Sequence, residues 1–437
     1  MRRVWADFVR RVPLDNSEIP SSVLNIEKRS RTNLFPWSGQ FSPQLVEALL
    51  DRYASPGATV LDPFAGSGTV LYEAGRKGLR VAGAEISPAA FGMASTYRLI
   101  NAPPRARAHS IAGAEEAVLC LCARARRLVS QRRSAARRRA SLRAGLLRAA
   151  ASSRGGVRDL LEALIIRLDF DRAAPLEERV ADTWARLKSV VSAFPFSPQE
   201  VRLLNVDARR IPRAVAPVDL VLTSPPYINV FNYHQQYRAS AEALGWDLLR
   251  VARSEIGANR KHRANRFLTV AQYCLDMTQV LGHLGGLCRA SSRVVLVVGR
   301  ASRVRGTPFY NGVIVHALAE RCAGLETVLR QERAFTNRFG QVIFEDILHF
   351  QPAQRPPPGT EIQGARDVAR DALKSAVPAC PPEALADLHA AVERVDDTEP
   401  SPLFDARRSQ AAAWYRGPSR SPATARRATS RGEESSP

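Results

Sequence analysis

Thr59-Val-Leu-Asp-Pro-Phe-Ala-Gly-Ser-Gly-Thr69 is the stretch from which the rest of the chain can be read. Thr59 to Asp62 is a short apolar run closed by a carboxylate, the pattern of a buried strand. Gly66 and Gly68 let the backbone turn sharply and approach a ligand closely. Val70, Leu71 and Ala74 then repeat at helical spacing. Strand, glycine turn and helix in that order leave the free N–H groups of the helix start facing the turn. The three-glycine dinucleotide pattern is not met, because Leu71 stands where its third glycine would be.

Outward from this unit, strand and helix keep alternating. Upstream, Leu45, Val46, Leu49 and Leu50 predict a helix, with Ser42 as its N-cap and Pro43 at its first position. Downstream, Arg80 to Glu85 reads as a second strand and Pro88 to Ile100 as a second helix. Glu85 ends that strand, where a carboxylate can accept from both hydroxyls of a ribose or simply face solvent. Residues 103–160 break the alternation with 14 Arg, three acidic residues and no Lys. Ala and Leu fill the gaps, so 103–198 is expected to be a helical insertion. Strands resume at Val201–Asp207, Val218–Thr223 and Arg293–Gly299, with two more near 326–335 and 342–350. The expected class is α/β: about seven strands, mostly parallel, with helices on both faces.

Val218-Asp-Leu-Val-Leu-Thr-Ser-Pro-Pro-Tyr227 carries the second motif. Two prolines fix two φ angles and remove two donors, so the segment leaving this strand is stiff and its carbonyls are aimed. Open α/β sheets bind ligands at that strand end. Asp62–Thr69 together with Thr223–Tyr227 resembles the DNA amino-methyltransferases, which make N4-methylcytosine or N6-methyladenine. The resemblance covers roughly residues 33–102 and 200–350 and implies a Rossmann-like methyltransferase fold with S-adenosylmethionine as cofactor. It implies that Asp62, Phe64, Gly66, Gly68 and Thr69 form the cofactor loop. Glu85 would hold the ribose, and Asp207 would accept from the adenine amino group. Asn33–Pro43 is similar to the family's segment beside the methionine end of the cofactor, which points to Gln40, Phe41 and Ser42. Ser224, Pro225, Pro226 and Tyr227 would form the catalytic pocket, with Tyr227 stacked on the target base. Serine at 224 leans toward cytosine N4, since most adenine enzymes of the family carry Asp or Asn there.

Resemblance and composition together divide the chain into an N-terminal extension (1–32), a cofactor-binding half (33–102), the Arg-rich insertion (103–198), a catalytic half (199–352) and a low-complexity, largely disordered tail (353–437) with a weak helical patch at 361–395. Two regions compete as the reader of the target. One is the insertion. The other is 228–266, where Tyr233, His234 and Tyr237 are followed by Arg253, Arg260, Lys261, His262, Arg263 and Arg266.

The formal charge is +21, which suits a polyanionic partner. Only five of the 63 basic residues are Lys, however, and such a bias also arises from a GC-rich genome. Duplex DNA with a flipped base is the expected partner; an RNA base-amine methyltransferase and a non-catalytic nucleic-acid-binding relative are the alternatives. The six cysteines are scattered with no CxxC pair, which argues against zinc or a disulfide framework. No metal, membrane span or nuclease-like cluster is expected, the location is expected to be cytoplasmic, and the oligomeric state is left open.

Overall fold

A computed structural model describes residues 2–405 apart from 29, 38, 173–174, 230–231, 259–261 and 338–339. Its strands are β1 (Thr59–Asp62), β2 (Arg80–Ala84), β3 (Val201–Leu204), β4 (Val218–Thr223), β5 (Cys288–Gly299), β6 (Ala301–Val304), β7 (Thr307–Tyr310), β8 (Leu325–Thr336) and β9 (Val342–Pro352). Seven of them form one sheet in the order β3-β2-β1-β4-β5-β9-β8. β9 runs antiparallel to both its neighbours, and the remaining pairs are parallel. β6 and β7 form a separate hairpin, which the sequence pattern did not reveal. This order, with one reversed strand beside the edge, is the Rossmann-like methyltransferase arrangement.

Both faces of the sheet are buried, as helix-covered parallel strands require. Alternate residues serve opposite cores. Val60, Val81, Leu220, Leu222, Val295 and Val297 pack into one core, with helices Pro43–Tyr53, Thr69–Arg76 and Pro88–Ala94. Leu61, Ala82, Val221, Val294, Leu296 and Val298 pack into the other, with helices Leu268–Gly285 and Asn311–Cys322.

The insertion is four helices: Pro104–Ser130, Ala135–Ser152, Gly155–Leu168 and Leu176–Ser192. Leu160, Leu161, Leu164 and Ile165 are fully buried and continue the first core. It is therefore built into the domain.

Two expected boundaries need correction. Residues 1–32, expected as a separate extension, pack on the domain: Phe8 and Val12 are buried in the second core, and Trp5 stacks on Tyr310 at 5.1 Å. The segment 353–405 is not a disordered tail. Helices Glu361–Ala376 and Pro382–Glu393 place Val368, Leu373 and Leu388 in the second core, and Val395 just after the second helix joins them. Their apolar spacing is diluted by Ala and charged residues, so it looks weak until a matching surface is present. The Arg/Ser-rich stretch after 405 lies outside the described residues.

Leu373 has no exposed surface. Leu373→Ala should destabilise the whole domain by about 2–5 kcal/mol. Chemical denaturation checks this: a tail that is only loosely attached would leave the midpoint unchanged.

Candidate active site

β1, β2, β3 and β4 end on the same side of the sheet, and the chain reverses its direction of strand addition between β1 and β4. That divergence opens a crevice. A cavity lies in it. Asp62 to Ser67 line it from β1, Ala84 to Ser87 from β2, Val206 to Ala208 from β3, and Ser224 and Pro226 from β4. The glycine turn and the diproline segment thus share one cavity.

Local sequence explains the turn. Gly66 has φ +53° and Gly68 φ +90°, conformations that suit glycine. A side chain on Gly68 would also meet the Tyr97 ring at 2.6 Å. Gly68 packs under Tyr97 and shapes the loop without lining the cavity. The Gly66 N–H donates to Glu85 Oε2 at 2.7 Å, which ties the first turn to the end of the second strand. Asp62 Oδ1 accepts from the Phe64 N–H at 3.0 Å and the Thr223 hydroxyl at 2.6 Å, joining the first motif to the second.

Residues 33–37 and 39–42 close over the turn. The Asn33 amide donates to the Phe41 carbonyl at 2.7 Å and its oxygen accepts from the Thr69 hydroxyl at 2.9 Å. The Ser67 hydroxyl donates to Gln40 Oε1 at 2.9 Å. Gln40, Phe41 and Thr69 line the cavity. Ser42 does not; it occupies the N-cap position of the next helix without a side-chain cap bond.

The roof consists of residues not singled out for the cofactor. Trp37 stacks on Tyr233 and Tyr237, with ring centroids 6.0 and 6.4 Å apart. The Tyr237 hydroxyl donates to the Pro36 carbonyl at 3.0 Å. Buried His234 and Glu255 bond through Nδ1 and Oε2 at 2.7 Å, and Glu255 lines the cavity. Tyr233 thus lines the cavity beside Trp37, and Tyr237 braces Trp37 from outside it. Trp37 was within reach of sequence reading, because it sits in the Asn33–Pro43 segment. Glu255 carried no local signal. Arg260 and Lys261 lie outside the described residues.

Asp207 lines the cavity, yet its carboxylate is occupied. Oδ1 accepts from the Arg209 N–H at 3.0 Å and Nε at 2.8 Å, and Oδ2 from Arg209 Nη2 at 2.7 Å and the Phe404 N–H at 3.0 Å. Four donors saturate a carboxylate. The expected bond from Asp207 to an adenine amino group is therefore corrected: Asp207 anchors Arg209 and the chain near its C-terminus. Arg209 Nη1 also reaches Asp276 at 3.0 Å and the Ser401 carbonyl at 2.8 Å.

Pro225 and Tyr227 do not line this cavity. The Tyr227 ring lies against Gly299, where an added Cβ would come within 2.8 Å. Its hydroxyl is 3.3 Å from both Ser224 Oγ and Glu345 Oε1, and burial pushes its pKa well above the usual value. Glu345 is in turn held by Arg333 Nε at 2.7 Å.

The cavity fits S-adenosylmethionine on three counts. Its lining includes the carboxylates of Asp62, Glu85 and Glu255 besides the saturated Asp207, and no Lys, Arg or His; that balance suits a cationic ligand. Glu85 spends one lone pair per oxygen on the N–H groups of Gly66 and Ser87, leaving one on each for a pair of hydroxyls. The buried Ser87 hydroxyl has no partner. Burial raises the pKa of both Asp62 and Glu85 to about 7. No helix among the described residues is long and apolar enough to cross a membrane. No metal-holding cluster of His, Cys, Asp or Glu occurs among them, and the six cysteines are free.

Residues 2–95 match the family described as DNA methylase. A stretch of 55 residues is 44% identical to the type II methyltransferase M.MjaII of Methanocaldococcus jannaschii, spanning 13% of this chain and 10% of that protein. The chain therefore spans about a tenth of the curated relative it matches. Among solved structures, the rRNA methyltransferase aviRa from Streptomyces viridochromogenes is 13% identical with a TM-score of 0.30, covering 81% of this chain and 96% of that one. TrmN from Thermus thermophilus is 15% identical with a TM-score of 0.29, covering 72% and 50%. Likenesses at this level say nothing about substrate.

Because Glu85 has a raised pKa, the ligand-free protein keeps a proton there until pH rises through about 7. Donors from a ribose favour the ionised form, so binding strengthens as pH rises through that value. Adenosine itself does not titrate between pH 6 and 8. Its affinity should rise by up to about tenfold over that range, and Glu85→Gln should flatten the profile. Calorimetry showing a flat profile for the parent chain would contradict this.

Proposed function

We propose that this protein, whose residues 2–95 match the DNA methylase family, uses S-adenosylmethionine to methylate an exocyclic amine of a DNA base, cytosine N4 in preference to adenine N6. The observation that carries this reading is that Ser224, at the head of the diproline motif, lines the same cavity as the glycine turn. When bound, the cofactor supplies a methyl group on a sulfonium centre. The chain's own residues hold the donor and prepare the acceptor.

Asp62, Phe64, Gly66, Thr69, Gln40 and Phe41 would line the donor's seat, with Gly68 and Ser42 shaping it from behind. Glu85 would take the ribose hydroxyls. An exocyclic amine is a poor nucleophile because its lone pair is delocalised into the ring. Ser224 Oγ and the Pro225 carbonyl, aimed by Pro226, would accept its two N–H bonds and draw the nitrogen toward sp³. Each such bond is worth about 1 kcal/mol net and more in a dry site. Positioning supplies more, up to about 7–11 kcal/mol.

Ser224 must act as an acceptor, and its surroundings support that role. Tyr227 has a single hydroxyl proton, and Glu345 can only accept while ionised in its pair with Arg333. Tyr227 donates to Glu345, so Ser224 donates to Tyr227 and keeps its lone pairs for the target amine. The target base must leave the duplex to reach this position, where Tyr227 would stack on it.

Purified protein, labelled S-adenosylmethionine and separate duplex DNA, single-stranded DNA and total RNA test the proposal. Mass spectrometry should find N4-methylcytosine in DNA; label confined to RNA would refute it. Tyr227→Ala should abolish transfer while cofactor affinity stays nearly intact. Tyr227→Phe should lower kcat by about tenfold, or about 1.4 kcal/mol, by releasing the Ser224 proton. Loss of cofactor binding in either variant would show that the two motifs are not divided in this way.

A further inference from the structure

Residues 117–158 contain 12 Arg and no Asp or Glu. The whole chain has 42 acidic residues in 437, about one in ten. A genome-wide bias replaces Lys by Arg, but it does not empty a long helical stretch of carboxylates. The stretch covers the far half of helix Pro104–Ser130, the turn, all of helix Ala135–Ser152 and the first turn of helix Gly155–Leu168, so that ten of the 12 Arg belong to the hairpin. Arg124, Arg126, Arg127, Arg132, Arg133 and Arg137 are all exposed there.

Contacts place this hairpin in the fold. The first helix starts at the foot of the sheet, where Arg107 donates to the carbonyls of Leu99 and Pro195, at 3.4 and 3.1 Å. Gly156, at the start of helix Gly155–Leu168, packs on Leu99 and Ser110 near the same foot. That helix ends at the other side of the domain. There the Phe170 N–H donates to Ser240 Oγ at 3.0 Å, and the Arg167 guanidinium lies 5.6 Å over the Phe35 ring. Ser240 follows Tyr237, which packs on Trp37 of the cavity roof. The hairpin reaches this end too: Arg139 donates to the Phe170 carbonyl at 2.6 Å, and Arg143 lies 4.8 Å over the Phe170 ring. A 27-residue helix is about 40 Å long and a 14-residue helix about 21 Å. The tip of the hairpin therefore projects beyond the roof, on the side where the strands end and the cavity lies.

We propose that this hairpin tip is a cationic arm that grips the phosphate backbone of duplex DNA beside the base being modified. Arginines tracking phosphates position a duplex without reading its sequence. The competing region, 228–266, is in part committed elsewhere, because Tyr233 and Glu255 line the cavity and Tyr237 packs on Trp37. The inference rests on the proposed action on DNA.

The test uses the full chain with Arg124, Arg127, Arg132, Arg133 and Arg137 changed together to Gln. Fluorescence anisotropy follows binding to a 30-base-pair duplex from 50 to 300 mM NaCl. The variant should bind at least tenfold more weakly at 100 mM. The slope of log affinity against log salt should flatten by about 3 to 4. Cofactor affinity and thermal midpoint should stay at parental values, which shows that the arm, and not the fold, was altered. If the parent methylates duplex DNA and the variant keeps the parental slope, the arm inference fails alone. If the parent methylates only RNA, or neither binds nor methylates the duplex, both the arm's partner and the proposed function fall.

Discussion

The Thr223 hydroxyl donates to Asp62 Oδ1 at 2.6 Å, across 161 residues of sequence. Both groups are buried at the ends of adjacent parallel strands. The bond holds the glycine turn and the diproline segment at a set separation, and a methyl donor and an acceptor can meet only if that separation is kept. Asp62 also caps the Phe64 N–H, so one carboxylate orders the loop on its own strand and locks the neighbouring strand beside it. Its cost is the burial of a carboxyl group with no cation beside it, which appears as a pKa raised to about 7.

Glu85 fixes the turn from β2, and residues 33–37 and 39–42 cover it through Asn33 and Gln40. Trp37 and Tyr233 form an aromatic roof, braced by Tyr237. Below, Asp207 and Arg209 draw in residues 401–404 and so join the C-terminal helices to the wall of the cavity. A local patch near the active site is in this way supported by segments from both ends of the described chain. The tip of the cationic hairpin lies outside this supported shell, where Arg124, Arg126, Arg127, Arg132, Arg133 and Arg137 are exposed.

The alternating cores were legible because a parallel strand buried on both faces shows as a continuous apolar run, as in Val218–Thr223 and Val294–Val298. The glycine turn was legible because its backbone demands glycine at Gly66 and Gly68. The C-terminal helices were not, since their apolar residues are few and acquire meaning only against the surface of helix Leu268–Gly285. Asp207 was misjudged for a related reason. Its position after β3 was right, but its hydrogen-bond capacity is taken by Arg209 and by Phe404, far along the chain.

By itself the sequence determined the sheet class, the two motifs and the residue types able to turn, cap and accept hydrogen bonds, because these depend on neighbours within a few positions. Tertiary structure alone decided which strand ends meet, which carboxylates keep free lone pairs and which aromatics close the cavity. It also decided on which side of the domain the arginines gather. These depend on residues brought together from distant parts of the chain, whose contacts exist only once the sheet has ordered its strands.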